Sequence, residues 1–351
     1  MASAAERQRR RVAHHAGVDE VLVIGRDEIR RLLPMERCID AMSEVLADLA
    51  RGSAVNPLRS AVGVSDGQGF LVMMPGDLGG SSRSRASGAF GAKVLSVFPG
   101  NRAAGLESHQ GLVVLFESEH GRPTAILDAS EITAIRTAAA SGVATRALAV
   151  AGATELAIIG SGTQARTHLD AMRAVRGITR VRAWSPTRDR LDAFAEEART
   201  QTGLQVEAAA SAREAVDGAQ IVCTVSAATE PVLEGAWLAP GTHVNAVGSS
   251  VPTAREVDGE AVRRARVFVD RRGSAMHESG DLLAAIRDGL IDESHISAEL
   301  GEVLIGAADG RRTPNEITLF ESLGLAVEDL AAAAFVAAAA REQGVGTAVT
   351  F

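Results

Sequence analysis

No other stretch of this chain restricts its fold as tightly as Leu156-Ala-Ile-Ile-Gly-Ser-Gly-Thr-Gln-Ala165. An apolar strand runs straight into Gly160, Gly162 and Ala165, the spacing of a dinucleotide-binding turn. Gly160 permits a tight turn, Gly162 lets the backbone approach a pyrophosphate, and Ala165 lets the next helix pack close to the strand. The free N–H groups at the start of that helix receive the phosphate charge. Glycine turns after strands are common, so context decides. Helical sequence over 166–175 and a second strand, Thr179–Trp184, complete the unit here.

The residues after the second strand bear on the nucleotide. An acid there would bond the ribose 2′-hydroxyl of NAD. The chain instead has Ser185-Pro-Thr187-Arg188, whose hydroxyls and guanidinium suit a 2′-phosphate. NADP(H) is favoured and NAD(H) is the alternative, with Arg188 then a solvated turn cation and Asp189 or a later acid taking the ribose.

Beyond Trp184, helix and strand alternate: a helix over 189–200, then strands at 205–209, 220–225, 243–247 and 266–270. This is the pattern of a Rossmann-type, doubly wound parallel sheet. Ahead of the turn, short strands at 21–24, 60–64, 70–74, 92–98, 112–116 and 123–127 are separated by glycines and polar turns, as in an antiparallel-sheet α+β domain. Helices are expected at 26–33, 38–50 and 131–149, with a closing helix at 326–343. At 351 residues two domains are expected. The division is a tail over 1–17, a first domain of 18–147 with 325–351, and a dinucleotide domain of 148–324.

A net charge of -8 argues against nucleic acid as a partner. The Ala-rich run 330–340 is too short to span a bilayer. Cys38 and Cys223 lie far apart without metal-ligand spacing, which suits a reducing cytoplasm.

Three cations stand in apolar surroundings: Arg59 at a strand entry, Lys93 inside a strand, and Arg136 in a helix segment otherwise apolar. Each must find an anion or reach solvent. One such arginine is usually held by a carboxylate of its own chain. Three beside a nicotinamide domain suggest an anionic substrate, most simply a carboxylate. Lys93 can also move a proton, since a lysine near a carboxylate and a ring cofactor shifts its pKa; the bland reading is a lysine reaching out to solvent. His109, His243 and His277 form no metal pattern, no metal is expected, and hydrolase and NTPase motifs are absent.

Taken together, Gly91–Asn101, Ile132–Ala140, the Gly160 loop, Thr229–Val232, Asn245–Pro252 and Glu278–Asp281 resemble the ornithine cyclodeaminase/mu-crystallin family. The resemblance runs from about residue 20 to the end. It implies a homodimer joined through the antiparallel-sheet domain, with the closing helix returning to that domain. It also implies that Arg59, Lys93 and Arg136 hold the substrate carboxylate, with Lys93 the proton-transfer group, and that Thr137, Gly160, Gly162, Thr163 and Gln164 contact the cofactor diphosphate. Cyclodeaminases place an Asp where this chain has Ser249-Ser250, so the resemblance is closer to the mu-crystallin, ketimine reductase branch. The expected activity is NAD(P)H-dependent reduction of an α-imino acid, such as pyrroline-2-carboxylate or piperideine-2-carboxylate. Ornithine cyclodeamination, alanine or N-substituted amino-acid dehydrogenation, and NADPH-dependent binding of a small ligand are the alternatives.

Overall fold

Short apolar runs buried on both faces build one sheet, and alternating runs build the other. The computed structural model describes residues 20–64, 67–79 and 89–350; the tail expected over 1–17 lies outside them. The first sheet takes β1 (Glu20–Ile24), β2 (Ser60–Gly63), β3 (Phe70–Asp77), β4 (Ala89–Val97), β5 (His109–Glu117) and β6 (Pro123–Asp128). The second takes β7 (Glu155–Ile159), β8 (Arg180–Trp184), β9 (Gln205–Ala208), β10 (Ile221–Thr224), β11 (His243–Ala246), β12 (Arg266–Val269), β13 (Ile296–Glu299) and β14 (Thr318–Glu321). The last strand, β15 (Thr347–Thr350), returns to the first sheet.

The second sheet has the order β13-β12-β14-β11-β10-β7-β8-β9 and is parallel throughout. β10, β11 and β14 are buried at every position, as expected for strands covered by helices on both faces. From β7 the chain winds outward through β8 and β9, then restarts at β10 on the other flank. That reversal makes a switch point at the carboxyl ends of β7 and β10, where α/β sheets bind ligands. The sequence reading named neither β13 nor β14, although β14 lies inside the sheet.

The first sheet has the order β15-β1-β6-β5-β4-β3-β2. It is mixed rather than antiparallel, because β1 pairs in parallel with β6. A parallel pair needs a long crossover, and here the helices Arg26–Leu32 and Met35–Ala50 and four strands intervene.

Two long helices join the sheets. The bridging helix, Ala129–Leu148, starts at Asp128, whose carboxylate accepts the Glu131 N–H at 2.8 Å. The closing helix, Ala326–Gln343, is buried around most of its circumference, the usual fate of an all-round apolar helix. It lies against β3 and β4, where Gly76 and Gly91 face each other across the ladder. A Cβ at either glycine would come within 3.2 Å of Leu330, so their missing side chains let the helix approach. No helix among the described residues is long and apolar enough to cross a membrane.

Candidate active site

Strand alternation aims Lys93 inward. It shares the buried face of β4 with Gly91, and its ladder partners Met74 and Val113 are buried too. Gly91 meets the closing helix at Leu330, so Lys93, two residues on, ends beside Asp329. The ammonium is 2.7 Å from Asp329 Oδ2 and 3.3 Å from Thr133 Oγ1. From the bridging helix, Arg136 donates through Nε to Asp329 Oδ1 at 2.9 Å and through Nη1 to Glu328 Oε2 at 2.7 Å. Arg59, just ahead of β2, pairs with Glu278 Oε2 at 2.7 Å and donates to the carbonyls of Leu323 and Gly324. The amides of those two residues donate to Asp270 Oδ2 at 2.8 and 2.7 Å. Arg136 packs on the same loop so tightly that a Cβ at Gly324 would lie 2.6 Å from its Nη1. The fold thus gathers Arg59 and Arg136 on this loop and Lys93 and Arg136 on Asp329 at the start of the closing helix, and supplies each cation with a carboxylate of its own chain.

Burial and pairing pull these groups in opposite directions. Lys93 is 2% exposed, and burial pushes its ammonium down to about 8 against the pull of Asp329. Against burial, Arg136 and Lys93 together hold the Asp329 carboxyl below its ordinary value. Burial lifts Glu328 to about 7 despite Arg136, and Asp270 to about 6. Burial thus moves Lys93, Glu328 and Asp270 toward neutrality, and a buried lysine shifted in that direction is suited to giving up a proton.

The cofactor side is built from backbone. Gly160 stands directly after β7 with φ of +138°, and a Cβ there would sit 2.7 Å from the Val225 carbonyl oxygen. Gly162 precedes the helix Thr163–Val175, and a Cβ at Gly162 would meet nothing within 4 Å. Arg166 braces the turn from behind, donating to the carbonyls of Ser161 and Gly162 at 3.1 Å. Thr137 Oγ1 and Gln164 Oε1 are buried without a hydrogen-bond partner, which costs free energy unless a ligand supplies one. A tight glycine turn and an open helix start at the switch point, with two orphaned buried polar atoms, fit a dinucleotide.

Ser185, Thr187 and Arg188 follow β8 at the same edge. Ser185 is half-buried, Thr187 and Arg188 are exposed, and Arg188 is held by Asp192 one turn on, at 2.9 and 2.8 Å. His243 is a buried structural group whose Nδ1 meets Thr318 Oγ1 at 2.9 Å. Ser249 spends its hydroxyl on Glu321 at 2.5 Å, and Ser250 is half-buried beside it.

Reading the sequence missed the anions, and two signals were available. Three cations in apolar text require buried carboxylates, and Glu328-Asp329 break an otherwise uncharged run from Leu323 to Ala340. The other signal is sharper: of 36 basic residues, 35 are arginine and Lys93 is the single lysine. A guanidinium does not release its proton in proteins, whereas an ammonium does.

The family model described as the ornithine cyclodeaminase/mu-crystallin family matches residues 20–344. Over 332 residues the chain is 36% identical to a Δ1-pyrroline-2-carboxylate reductase of Bacillus cereus, covering 94% of this chain and 100% of that protein. It is 39% identical over 301 residues to the mouse ketimine reductase mu-crystallin, covering 85% of this chain and 90% of the other. Among solved structures, the Δ1-pyrroline-2-carboxylate reductase of Thermococcus litoralis in complex with NADH and L-proline superimposes with a TM-score of 0.89 at 38% identity, covering 94% of this chain and 100% of that one. On these grounds the chain belongs to the ornithine cyclodeaminase/mu-crystallin family.

Proposed function

We propose that this protein is a nicotinamide-dependent reductase of cyclic α-imino acids, with pyrroline-2-carboxylate as the representative substrate. The observation that carries the reading is the meeting of Arg59, Lys93 and Arg136 in a chain so similar to reductases of that class. Arg59 and Arg136 hold the substrate carboxylate, and charge-assisted bonds to a guanidinium fix its plane. The bound cofactor supplies a hydride to the imine carbon. Lys93 Nζ then gives its proton to the ring nitrogen, which has taken up the electron pair of the C=N bond. Of the three clustered cations it is the one whose chemistry permits this, since a guanidinium does not release its proton.

Thr137, Gly160, Gly162, Thr163 and Gln164 hold the diphosphate. Ser185, Thr187 and Arg188 favour NADPH over NADH, because Arg188 can turn from Asp192 to a 2′-phosphate. Substrate binding falls to residues 18–147 with 325–351, and cofactor binding to 148–324. The exposed apolar side chains Val62, Leu71, Met73 and Leu112 share one face of β2, β3 and β5 and form a patch suited to a second copy of the chain, giving a homodimer. Cys38 and Cys223 are free and buried thiols, in keeping with a cytoplasmic setting.

The test is NADPH and NADH oxidation with pyrroline-2-carboxylate and piperideine-2-carboxylate, beside ammonia release from ornithine. Cofactor oxidation by the imines, faster with NADPH, is the expected result. Ammonia from ornithine without net cofactor change would overturn the reading in favour of cyclodeamination, and net NAD(P)H formation from alanine in favour of a dehydrogenase.

A further inference from the structure

Asp329 is fully buried and binds two different cations with its two oxygens, Lys93 through Oδ2 at 2.7 Å and Arg136 through Oδ1 at 2.9 Å. It sits in the first turn of the closing helix, seated against β4 by the Gly91–Leu330 contact. One carboxylate therefore ties the strand that carries the proton donor to the helix that carries the carboxylate clamp. We propose that Asp329 is a positioning residue of the reaction: it aims the Lys93 ammonium and fixes its spacing from Arg136. This rests on the reductase reading above and extends it to a residue outside the substrate contacts.

The surroundings of Lys93 leave this task to Asp329. Met74 and Val113, on the flanking strands, are apolar. The bridging helix offers the Thr133 hydroxyl at 3.3 Å and the positive charge of Arg136. Arg59 adds a second positive charge from the segment before β2. Glu328 faces Arg136, while Glu278 faces Arg59 and Asp270 the loop beneath it. Among these groups Asp329 is the carboxylate that touches the ammonium, and it alone offsets burial and two like charges. Without it, Lys93 would surrender its proton at a lower pH and swing free of the site.

The single lysine makes this directly measurable. Protein grown on lysine carrying 13C at Cε gives one lysine Cε resonance, whose pH titration reports Lys93 without assignment and without turnover. In the Asp329→Asn protein the midpoint should fall by about 1–3 units, the effect expected of an opposite charge in contact. The alkaline limb of kcat for pyrroline-2-carboxylate should move with it, while NADH affinity stays within about twofold. Asp329→Glu, which keeps the charge on a longer arm, should restore the midpoint and recover only part of kcat; it is also the measurable case if Asp329→Asn does not fold. Glu328→Gln should leave the midpoint where it is. An unchanged midpoint in Asp329→Asn, or a midpoint in Asp329→Glu as far from the wild-type value as a neutral side chain gives, would overturn the inference. If the wild-type enzyme reduces no cyclic imine, the reductase reading fails, and the resonance still decides whether Asp329 governs Lys93.

Discussion

The two halves of the candidate site are made in opposite ways. On the substrate side, charge is packed into the interior: Lys93, Arg136, Glu328 and Asp329 are all nearly or fully buried and are ion-paired with one another. On the proposed cofactor side the candidate determinants are backbone shape and neutral polar atoms, namely the Gly160–Gly162 turn, Thr137 and Gln164. A buried ion cluster is costly to assemble and more costly to break singly, since the partner is left uncompensated. A glycine turn costs little and fails when a side chain is added. Damage on the substrate side should therefore appear in chemistry and stability together, and damage on the cofactor side in cofactor affinity.

Lys93→Met is the hardest test of that contrast. Turnover of pyrroline-2-carboxylate should fall by about 10²–10⁴-fold, the usual worth of a positioned acid, while NADH binding followed by fluorescence stays nearly intact. Normal turnover would remove Lys93 from the mechanism. In the wild type kcat should decline as pH rises through about 8. The sign follows from the role: the ammonium is the donor, so activity is present below its pKa and lost above it. A rate that climbs through pH 9 would contradict the donor role.

Removal of the clamp comes next. Arg136→Met should raise KM for the imine by about 10–100-fold, as expected for charge-assisted hydrogen bonds worth about 1.5–3 kcal/mol. It should also lower stability in thermal unfolding, because Glu328 and Asp329 lose a shared partner. Unchanged KM with lower stability alone would reduce Arg136 to a structural ion.

These two variants also mark how far the sequence was legible. Arg59, Lys93 and Arg136 announced themselves because each is a charge in apolar text, and the structure brings them to the start of the closing helix and the loop before it. The turn over 160–165 was legible because glycine spacing encodes backbone shape. Asp329 was not, since a carboxylate on a helix that reads as an Ala-rich packing element declares its partner only once the helix is docked. The mixed character of the first sheet was equally hidden. The parallel β1–β6 pair joins segments about a hundred residues apart, and alternation within a strand carries no information on its neighbour. β14 escaped because Thr318–Glu321 holds two polar residues in a four-residue run; both are buried by hydrogen bonds made elsewhere in the fold.

On the cofactor side the effects should be smaller and differently placed. Gly160→Ala puts a methyl group at a φ of +138° and 2.7 Å from the Val225 carbonyl. Cofactor affinity should fall by about tenfold, equivalent to about 1.4 kcal/mol, with the Lys93 titration unmoved. A shift in that titration would show the two halves to be coupled rather than separate.

The smallest effect is expected at Arg188. Its pairing with Asp192 is exposed on both sides, so Arg188→Ala should alter stability by less than about 0.5 kcal/mol. It should weaken NADPH by about tenfold or less and leave NADH alone. Equal loss for both cofactors would assign it to general charge, and no loss would return it to the surface.

The most direct test of the central claim is a crystal structure of this chain with NADH and L-proline. The account predicts the product carboxylate within hydrogen-bonding distance of Arg59 and Arg136, the ring nitrogen facing Lys93 Nζ, and Asp329 still bound to both Lys93 and Arg136. A carboxylate held away from the two arginines, or a ring nitrogen turned from Lys93, would contradict it.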